Sequence, residues 1–377
     1  MRVLLVGNFE PDAQQSMQRY GAWLERDLTA KGHRVTYVAP RPFFARLLRY
    51  SGAGKYLGYL DKFILFPPRL RRLAREHDLL HVLDHSNSMY LSQAGTTPSL
   101  ITCHDVLAIR AALGEIPECQ FKWPGRLLQR WILSGLRSAR HVICVSTKTA
   151  SDLTALTGET GAQICVIHHS PNRMYRPGAT LSDELRSRLG LTSREPYLLH
   201  VGGNQWYKNR LGVLRIFASL AVREEFSNLK LVMVGKPWTI EMRKLVKAEA
   251  IENRVIEATG FRDEDLRALY CNAFALLFPS LQEGFGWPVI EAQACGCPVI
   301  TSDRAPMTEA AGEAAIFVDP ESPSGAAATI AVGLQRTEKL STAGFQNLER
   351  FNEEKILDQY CEFYEQVIRS GPVRVRR

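Results

Sequence analysis

The sequence predicts an α/β protein of two similar units, each built on a parallel sheet with helices on both faces. Short apolar segments alternate with helical segments along the 377 residues, a pattern typical of parallel sheets. The alternation is interrupted once, near the middle of the chain, by a segment rich in proline and polar residues. A chain of this length also suits two domains better than one.

The first unit begins with a buried strand predicted at Val3–Val6. A helix is predicted over Gln14–Lys31, because apolar residues such as Leu24 and Leu28 recur there at helical spacing. Gly32 is predicted to end this helix. Apolar, often β-branched runs predict the remaining strands of the unit, at Arg34–Ala39, Leu79–Leu83, Leu100–Cys103, His141–Val145 and Ile164–Ile167.

Ser170–Gly178 contains two prolines and a glycine among polar residues, which predicts a linker. The strand–helix pattern then restarts, and a last helix is predicted at Glu353–Arg369. Two such units make a cleft, and open α/β sheets bind ligands at the carboxyl ends of their strands. The strands predicted for the second unit are Tyr197–Val201, Leu229–Val234, Val255–Ala258, Phe274–Phe278, Pro298–Thr301 and Ile316–Val318.

The composition favours a cytoplasmic globular protein. Apolar residues make up 45% and charged residues 23% of the chain. No apolar run is long enough to span a membrane, and the apolar run after Met1 is too short for a signal peptide. The eight cysteines are scattered, and Cys295 and Cys297 have no second ligand pair nearby. We therefore expect reduced thiols and no metal site.

The net charge of +8 is concentrated in one segment, residues 41–75, which holds nine basic residues and one acidic residue, Asp61. Aromatic residues are interleaved with the basic ones. This mixture suits the surface of an anionic membrane, and it equally suits a helical lid with a solvated basic face. Nucleic acid is not expected as a partner, because nothing else in the chain supports it.

The most informative segment is 278–292, where a strand ends, a loop with Gly284 and Gly286 follows, and a helix begins. Pro288 suits the first helical position. Glycines allow close approach of a ligand, and the free N–H groups of a helix start bind phosphate. Glu283 and Glu291 suit sugar hydroxyls as charge-assisted acceptors. A nucleotide sugar satisfies all these groups, but surface charges around an ordinary strand–helix turn give the same pattern.

Glu283 and Glu291 stand in a Glu-x7-Glu arrangement within EGFGWPVIEAQACGCPVITS. This segment closely resembles the donor-site motif of glycosyltransferase family 4, and further resembling segments follow in the expected order. The resemblance implies the GT-B architecture, with two Rossmann-like domains facing each other across a cleft. It places the first domain at 1–172 and the second at 173–352, with a C-terminal helix, about 353–370, crossing back to the first. The other segments are 144–153, 168–177, 200–210, 231–236, 258–280 and 351–368.

The resemblance implies a retaining transferase that moves a sugar from a UDP- or GDP-linked donor to a glycan or lipid-linked acceptor. It further implies synthesis of cell-surface polysaccharide or glycolipid, with no metal or other cofactor. Lys208 would neutralise the leaving diphosphate, and Glu283 would contact hydroxyls of the transferred sugar. His104 and Asp105 match the family's His-Asp pair, which faces that sugar.

The donor-binding residues follow from the same resemblance. The backbone of the glycine loop would bind sugar and diphosphate, Glu291 would bind the ribose, and two residues after the strand at Val255–Ala258 would lie against the base. Asn204 stands where the family often has an arginine. The predicted donor-binding set is Gly284, Phe285, Gly286, Glu291, Gly260, Phe261 and Asn204.

Several alternatives stay open. Lys208 is also compatible with a solvated lysine at a helix start, and His104 with a histidine at the edge of the core. Arg210 either replaces the arginine missing at Asn204 or faces solvent. Residues 8–20 lack the glycine pair that the family usually has there, and Ser16 is a candidate substitute. Residues 107–124 are predicted to shape the acceptor site.

Three other functions compete with sugar transfer as interpretations of the sequence. A nucleotide-sugar epimerase shares the fold type, but the Glu-x7-Glu arrangement favours transfer. A non-catalytic nucleotide-sugar-binding partner of another transferase is compatible with the missing glycine pair and arginine. A dinucleotide dehydrogenase is disfavoured because the loop after the first strand, residues 7–11, lacks G-x-G-x-x-G.

Overall fold

The structure of the protein is a computed structural model, and it describes residues 1–47, 54–192 and 195–371. The chain divides into two compact units. Unit 1 comprises Met1–His168 and the segment that starts at Glu354, and unit 2 comprises His169–Glu353. Of the predicted basic segment, residues 48–53, with Arg49 and Tyr50, lie outside the described residues, as do the side chains of Leu47, Lys55 and Tyr56.

Within its described residues, unit 1 contains six parallel strands, whose ends differ from the predicted ones by at most one residue. They are β1 (Arg2–Val6), β2 (Arg34–Val38), β3 (Leu79–Val82), β4 (Ser99–Cys103), β5 (His141–Cys144) and β6 (Gln163–Val166). Their order in the sheet is β2-β1-β3-β4-β5-β6. The central strands are buried on both faces, as their continuous apolar sequences predict.

Helices cover the sheet of unit 1. The first confirms the helix predicted over Gln14–Lys31, and it buries Leu24 and Leu28 against the sheet. The helices are α1 (Gln15–Ala30), α2 (Phe44–Leu47), α3 (Gly54–Leu60), α4 (Phe66–Ala74), α5 (Leu107–Leu113), α6 (Trp123–Ser138) and α7 (Thr147–Thr157). A π-helical turn over Asp61–Leu65 joins α3 to α4, and 3-10 helices lie at Glu10–Asp12 and His85–Gln93.

Unit 2 contains the second parallel sheet, again with strand ends within one residue of the predicted ones. Its strands are β7 (Tyr197–Gly202), β8 (Lys230–Gly235), β9 (Val255–Ala258), β10 (Ala275–Phe278), β11 (Val299–Ser302) and β12 (Ile316–Val318). The order in the sheet is β12-β11-β10-β7-β8-β9.

The helices of unit 2 bury an apolar core that includes Val213, Leu214 and Phe217. They are α8 (Asp183–Leu189), α9 (Arg210–Ala221), α10 (Ile240–Ala248), α11 (Asp263–Asn272), α12 (Trp287–Ala294), α13 (Met307–Ala311), α14 (Pro323–Gly333) and α15 (Thr337–Asn347). Short 3-10 helices lie at Trp206–Lys208, Glu224–Phe226, Leu334–Arg336 and Leu348–Phe351.

The last helix, α16 (Glu353–Arg369), confirms the predicted return of the C-terminus to the first unit. The Tyr360 hydroxyl lies 2.9 Å from that of Tyr20 on α1. The Tyr364 hydroxyl lies 2.7 Å from Nδ1 of His81 on β3. Buried tyrosine hydroxyls need such partners, so these contacts fix α16 on unit 1. None of the helices in the described ranges has the length and apolarity that crossing a membrane requires.

Each sheet has a point where the direction of strand addition reverses. In unit 2 the chain adds β8 and β9 on one side of β7, then β10, β11 and β12 on the other. The loops after β7 and β10 therefore diverge, which opens a crevice at the carboxyl ends of these strands. Lys208 follows β7 and Glu283 follows β10. In unit 1 the corresponding strands are β1 and β3.

Candidate active site

An ion pair joins the loops that follow β7 and β10. Nζ of Lys208 lies 2.6 Å from Oε1 of Glu283, and the Ser280 hydroxyl donates to the same oxygen at 3.0 Å. The two charged side chains are only 17% and 9% exposed. Lys208 is therefore not a solvated lysine at a helix start. Its role toward a leaving diphosphate stays a prediction.

Backbone contacts hold the same two loops together. The N–H of Leu281 donates to the carbonyl of Tyr207 at 2.8 Å. The side-chain amide of Asn209 donates to the carbonyls of Pro279 at 3.0 Å and Pro320 at 3.1 Å. Because these bonds flank Lys208 and Glu283 along the chain, the geometry of the ion pair is set by the backbone as well as by charge.

The glycine loop ends at the start of α12. Gly286 has a φ of +108°, a backbone conformation that favours glycine, and a Cβ on it would also displace the end of the Met307 side chain, whose Cε would lie 2.6 Å away. The Phe285 ring is buried, with its centroid 5.6 Å from that of Phe351. Trp287 is the first helical residue and Pro288 the second, so the prediction of Pro288 at the first position is wrong by one residue. The first N–H groups of a helix lack intrahelical acceptors and attract anions.

Glu291, one turn into α12, accepts a hydrogen bond from Tyr270 on α11. The Tyr270 hydroxyl lies 3.2 Å from Oε2 of Glu291. Burial raises the pKa of Tyr270 well above its ordinary value, and the charge of Glu291 raises it further. Tyr270 therefore remains a neutral donor that orients the Glu291 carboxylate.

The predicted base-binding residues Gly260 and Phe261 follow β9 and are held by Arg188 of α8. The Arg188 guanidinium donates to the carbonyl of Thr259 at 2.8 Å and to that of Gly260 at 3.3 Å. It also stacks over the Phe261 ring at 4.0 Å from the centroid. This cation–π contact and the two hydrogen bonds give the loop one defined conformation.

Arg210 does not face solvent, so that alternative is wrong. It is 4% exposed, and Nη1 donates to Oδ1 of Asn204 and, at 2.8 Å, to the carbonyl of Lys236. The Asn204 amide in turn donates to the carbonyl of Pro237 at 2.8 Å. Burial lowers the pKa of Arg210, although Glu257 opposes this shift. Asn204 and Arg210 thus tie the loop after β7 to the loop after β8.

In unit 1, His104 and Asp105 follow β4. His104 is 6% exposed, and its Nε2 donates to the carbonyl of Leu83 at 2.8 Å. Burial lowers the pKa of His104, although Asp84 opposes this shift, so the ring is neutral at physiological pH. Oδ1 of Asp105 accepts from the N–H of Leu107 at 2.9 Å and so begins α5.

The loop after β1 lines a cavity of about 910 Å³ in unit 1, with mixed aromatic and charged walls. Phe9, Tyr59 and Phe63 supply the rings, while Glu10 and Arg46 supply charge. Just before Phe9 in the chain, Asn8 donates to Oδ2 of Asp84 at 2.5 Å, which joins the ends of β1 and β3. Neither Ser16 nor the segment 107–124, predicted to shape the acceptor site, lines this cavity.

Two family models match the chain, one in each half. The model described as "Glycosyltransferase Family 4" matches residues 17–170, and that described as "Glycosyl transferases group 1" matches residues 182–344. The chain belongs to glycosyltransferase family 4. The recognition from the Glu-x7-Glu segment is thereby confirmed.

Curated relatives of this glycosyltransferase include enzymes of O-antigen synthesis. It is 24% identical over 324 residues to O-antigen chain mannosyltransferase B of Escherichia coli, covering 83% of this chain and 84% of the relative. It is 27% identical over 206 residues to O-antigen chain mannosyltransferase RfbU of Salmonella typhimurium, and the match covers 53% of this chain and 54% of the relative. These names support a place in polysaccharide synthesis.

Solved structures confirm the GT-B fold of the glycosyltransferase. Sucrose-phosphate synthase from Thermosynechococcus elongatus matches with a TM-score of 0.75 at 21% identity, covering 98% of this chain and all of that one. Anabaena HepE in complex with UDP and glucose matches with a TM-score of 0.70 at 16% identity, and the match covers 97% of this chain and all of HepE. At these identities the likeness shows the fold alone.

Several side chains of the glycosyltransferase site were not predicted from the sequence. Ser280 and Asn209 lie beside the Lys208–Glu283 pair, but short polar residues in loops give no distinctive pattern. In the sequence, Tyr270 looks like an apolar residue of a helix, and Arg188 looks like one of many surface arginines. Their importance depends on which elements pack together, and no local spacing encodes this.

Proposed function

We propose that this glycosyltransferase moves a sugar from a UDP- or GDP-linked donor to a glycan or lipid-linked acceptor, with retention of anomeric configuration. The observation that carries the proposal is the buried Lys208–Glu283 pair at the carboxyl ends of β7 and β10. This pair brings a cation together with a carboxylate, a group that suits sugar hydroxyls, after the two strands of unit 2 where α/β sheets typically bind their ligands.

The relatives favour mannose as the sugar and a cell-surface polysaccharide or glycolipid precursor as the product. The relatives named above are mannosyltransferases of O-antigen chains. The complex of HepE with UDP and glucose keeps UDP sugars among the candidate donors.

In the proposed reaction the bond between the anomeric carbon and the diphosphate breaks, and the acceptor hydroxyl forms the new bond on the same face. The departing diphosphate takes the proton of that hydroxyl. Lys208 has three N–H donors, so it can keep its bond to Glu283 and still donate to a phosphate oxygen. The positive end of the α12 dipole would add a fixed positive potential that complements the negative charge of the diphosphate. Since these groups supply the positive charge, the proposed transfer uses no metal or other cofactor.

The other proposed contacts with the donor come from the glycine loop, from α12 and from the loop after β9. The backbone of Gly284, Phe285 and Gly286 would bind the sugar and diphosphate, because the Phe285 ring is buried and leaves the main chain to do so. Glu291, oriented by Tyr270, would accept the ribose hydroxyls. The loop with Gly260 and Phe261 would lie against the base.

In unit 1, we expect His104 and Asp105 to face the transferred sugar. A neutral His104 suits hydrogen bonding to hydroxyls, since its charged form would have to be desolvated. The cavity beside β1, with rings and both signs of charge, suits a sugar-containing acceptor.

The test is binding followed by stereochemistry. Titration calorimetry with UDP, GDP, ADP, GDP-mannose and UDP-glucose should show one preferred base. Glu291→Ala should weaken that binding, whereas Glu252→Ala, at an exposed position of the same unit, should not. Proton NMR of slow donor hydrolysis should then show release of the sugar in the donor's own anomeric form.

Two outcomes would contradict the proposal. Release of the opposite anomer would refute retention. Binding of a nucleotide sugar with neither hydrolysis nor transfer to a lipid or polysaccharide extract would favour a non-catalytic nucleotide-sugar-binding partner of another transferase.

A further inference from the structure

Exposed large apolar side chains are concentrated on one region of unit 1. On α6, Trp123 is 75%, Leu127 55% and Trp131 46% exposed. Ile64 and Leu65, in the π-helical turn, are 60% and 46% exposed. In unit 2 the exposed large apolar residues are single ones on separate elements, such as Val222 and Ile240. Isolated exposures are normal in proteins, but grouped ones mark interaction surfaces.

The two groups belong to one continuous surface. Trp123, Leu127 and Trp131 are four residues apart and so share a face of α6. The Trp131 ring lies 4.9 Å from that of Phe63, next to Ile64 in the π-helical turn. A shallow groove then continues from Phe63 and Ile64 to arginines of α4 and its C-cap. We call this surface the basic–apolar face; it comprises Ile64, Leu65, Trp123, Leu127 and Trp131 with Arg71, Arg72, Arg75, Arg126 and Arg130.

The charge of this face is positive. α6 contains Arg126, Arg130 and Arg137 and no acidic residue. Asp61, the one acid of the segment 41–75, is 1% exposed and does not reach the surface. Its carboxylate accepts the N–H groups of Phe44 at 2.9 Å and Ala45 at 3.0 Å, which fixes the start of α2. Asp61 therefore does not neutralise the arginines of α4 and α6 at the surface. Arg72 does have an exposed acidic neighbour, Glu76, at 4.0 Å, and the other arginines of the face leave its net charge positive.

We propose that the basic–apolar face binds an anionic lipid bilayer. Tryptophan and aliphatic side chains insert at the level of the lipid headgroups, while arginines beside them pair with lipid phosphates. Nucleic acid fits less well, because Ile64, Leu65 and Leu127 offer nothing to a phosphate backbone. A second copy of the chain fits less well too, because the face would meet its own positive charge. This binding does not depend on the proposed sugar transfer.

The experiment is vesicle flotation of the full chain. Phosphatidylcholine vesicles and vesicles that also contain phosphatidylglycerol are compared at low and high salt. The protein should float only with the anionic vesicles, and less at high salt because screening weakens its attraction to them. Trp123→Ser with Leu127→Ser should weaken partitioning about tenfold or more. Arg71→Gln with Arg72→Gln should weaken it about 25-fold, at about fivefold per charge.

Matched controls come from unit 2. Val222→Ser with Ile240→Ser removes apolar groups that are also more than half exposed, and Lys244→Gln with Lys247→Gln removes two exposed charges. Both control variants should float like the wild type. Circular dichroism and thermal unfolding check that every variant is folded, which we expect because all the altered side chains are exposed.

Three results would overturn the inference. The first is no flotation of the wild type at low salt. The second is flotation that is unchanged by the α6 and α4 substitutions. The third is a concentration-dependent dimer, seen by light scattering without vesicle binding and lost in the Trp123→Ser, Leu127→Ser variant, which would assign the face to a second copy.

Discussion

Nζ of Lys208 and Oε1 of Glu283 lie 2.6 Å apart, although 75 residues separate them in the chain. Each follows one of the two neighbouring strands between which the sheet of unit 2 reverses. A largely buried ion pair contributes little net stability, because desolvation offsets most of the attraction. Its geometry suits a site that must present a cation to an anionic leaving group.

Replacement of Lys208 by alanine should lower the turnover number of sugar transfer by a factor of about 10²–10³, as loss of one transition-state charge partner does elsewhere. Steady-state rates with a saturating donor measure this. Lys244→Ala, at an exposed position of α10, is the control and should leave the rate unchanged. A loss of only a few-fold in Lys208→Ala would remove the lysine from the proposed mechanism.

Tyr270→Phe should weaken donor binding about two- to tenfold, because one hydrogen bond that orients Glu291 is lost, at about 0.5–1.5 kcal/mol. Calorimetric titration with the preferred nucleotide measures the change. Tyr197→Phe is a matched control, since its hydroxyl donates to the Leu269 carbonyl at 2.7 Å, away from Glu291. It should lower stability to a similar degree without changing affinity. Equal affinities of both variants would show that Tyr270 has only a structural role.

Stability should fall as the pH drops below neutrality. Burial lowers the pKa of His81 and of His200 to about 3, with His104 adding to the shift of His81. An unfolded histidine titrates near 6.5. Between these values the unfolded state binds protons that the folded state excludes. The free energy of unfolding therefore has its full value above pH ~6.5. It decreases as the pH falls toward ~3, by at most ~1.4 kcal/mol per pH unit for each histidine.

Urea denaturation at several pH values checks this, with His200→Asn as the test variant. Asparagine keeps an N–H close to the position of Nδ1, from which His200 contacts the Leu277 carbonyl at 3.0 Å, and it does not titrate. Its stability should vary less steeply with pH than that of the wild type. An unchanged slope would mean that His200 is not a buried neutral group.

The strands were predictable because buried parallel strands are short, continuous apolar runs, and even their ends were found within one residue. The site was predictable only in part. The Glu-x7-Glu motif located Glu283 and Glu291, but the bond from Lys208 depends on strand order, and that from Tyr270 on the packing of α11 against α12. Asp61 is the one acidic residue of the segment 41–75, and the sequence does not show that it is buried at the start of α2. The spacing of Trp123 and Trp131 is typical of a core-facing stripe, and only their exposure shows otherwise.

Gly286→Ala should damage the start of α12 and donor binding together. The φ of +108° strains any residue with a Cβ, and that Cβ would lie 2.6 Å from Cε of Met307. We expect a loss of ~1–3 kcal/mol in the free energy of unfolding, with a weaker affinity for the diphosphate part of the donor.

Gly178→Ala is the control that separates the effect of backbone strain from the effect of the contact with Met307. Gly178 has a φ of +89° and nothing within 4 Å of its added Cβ. Gly178→Ala should therefore lose less stability and keep wild-type affinity for UDP or GDP. If the Gly286→Ala protein bound the nucleotide as tightly as the wild type, the loop before α12 would not be part of the donor site.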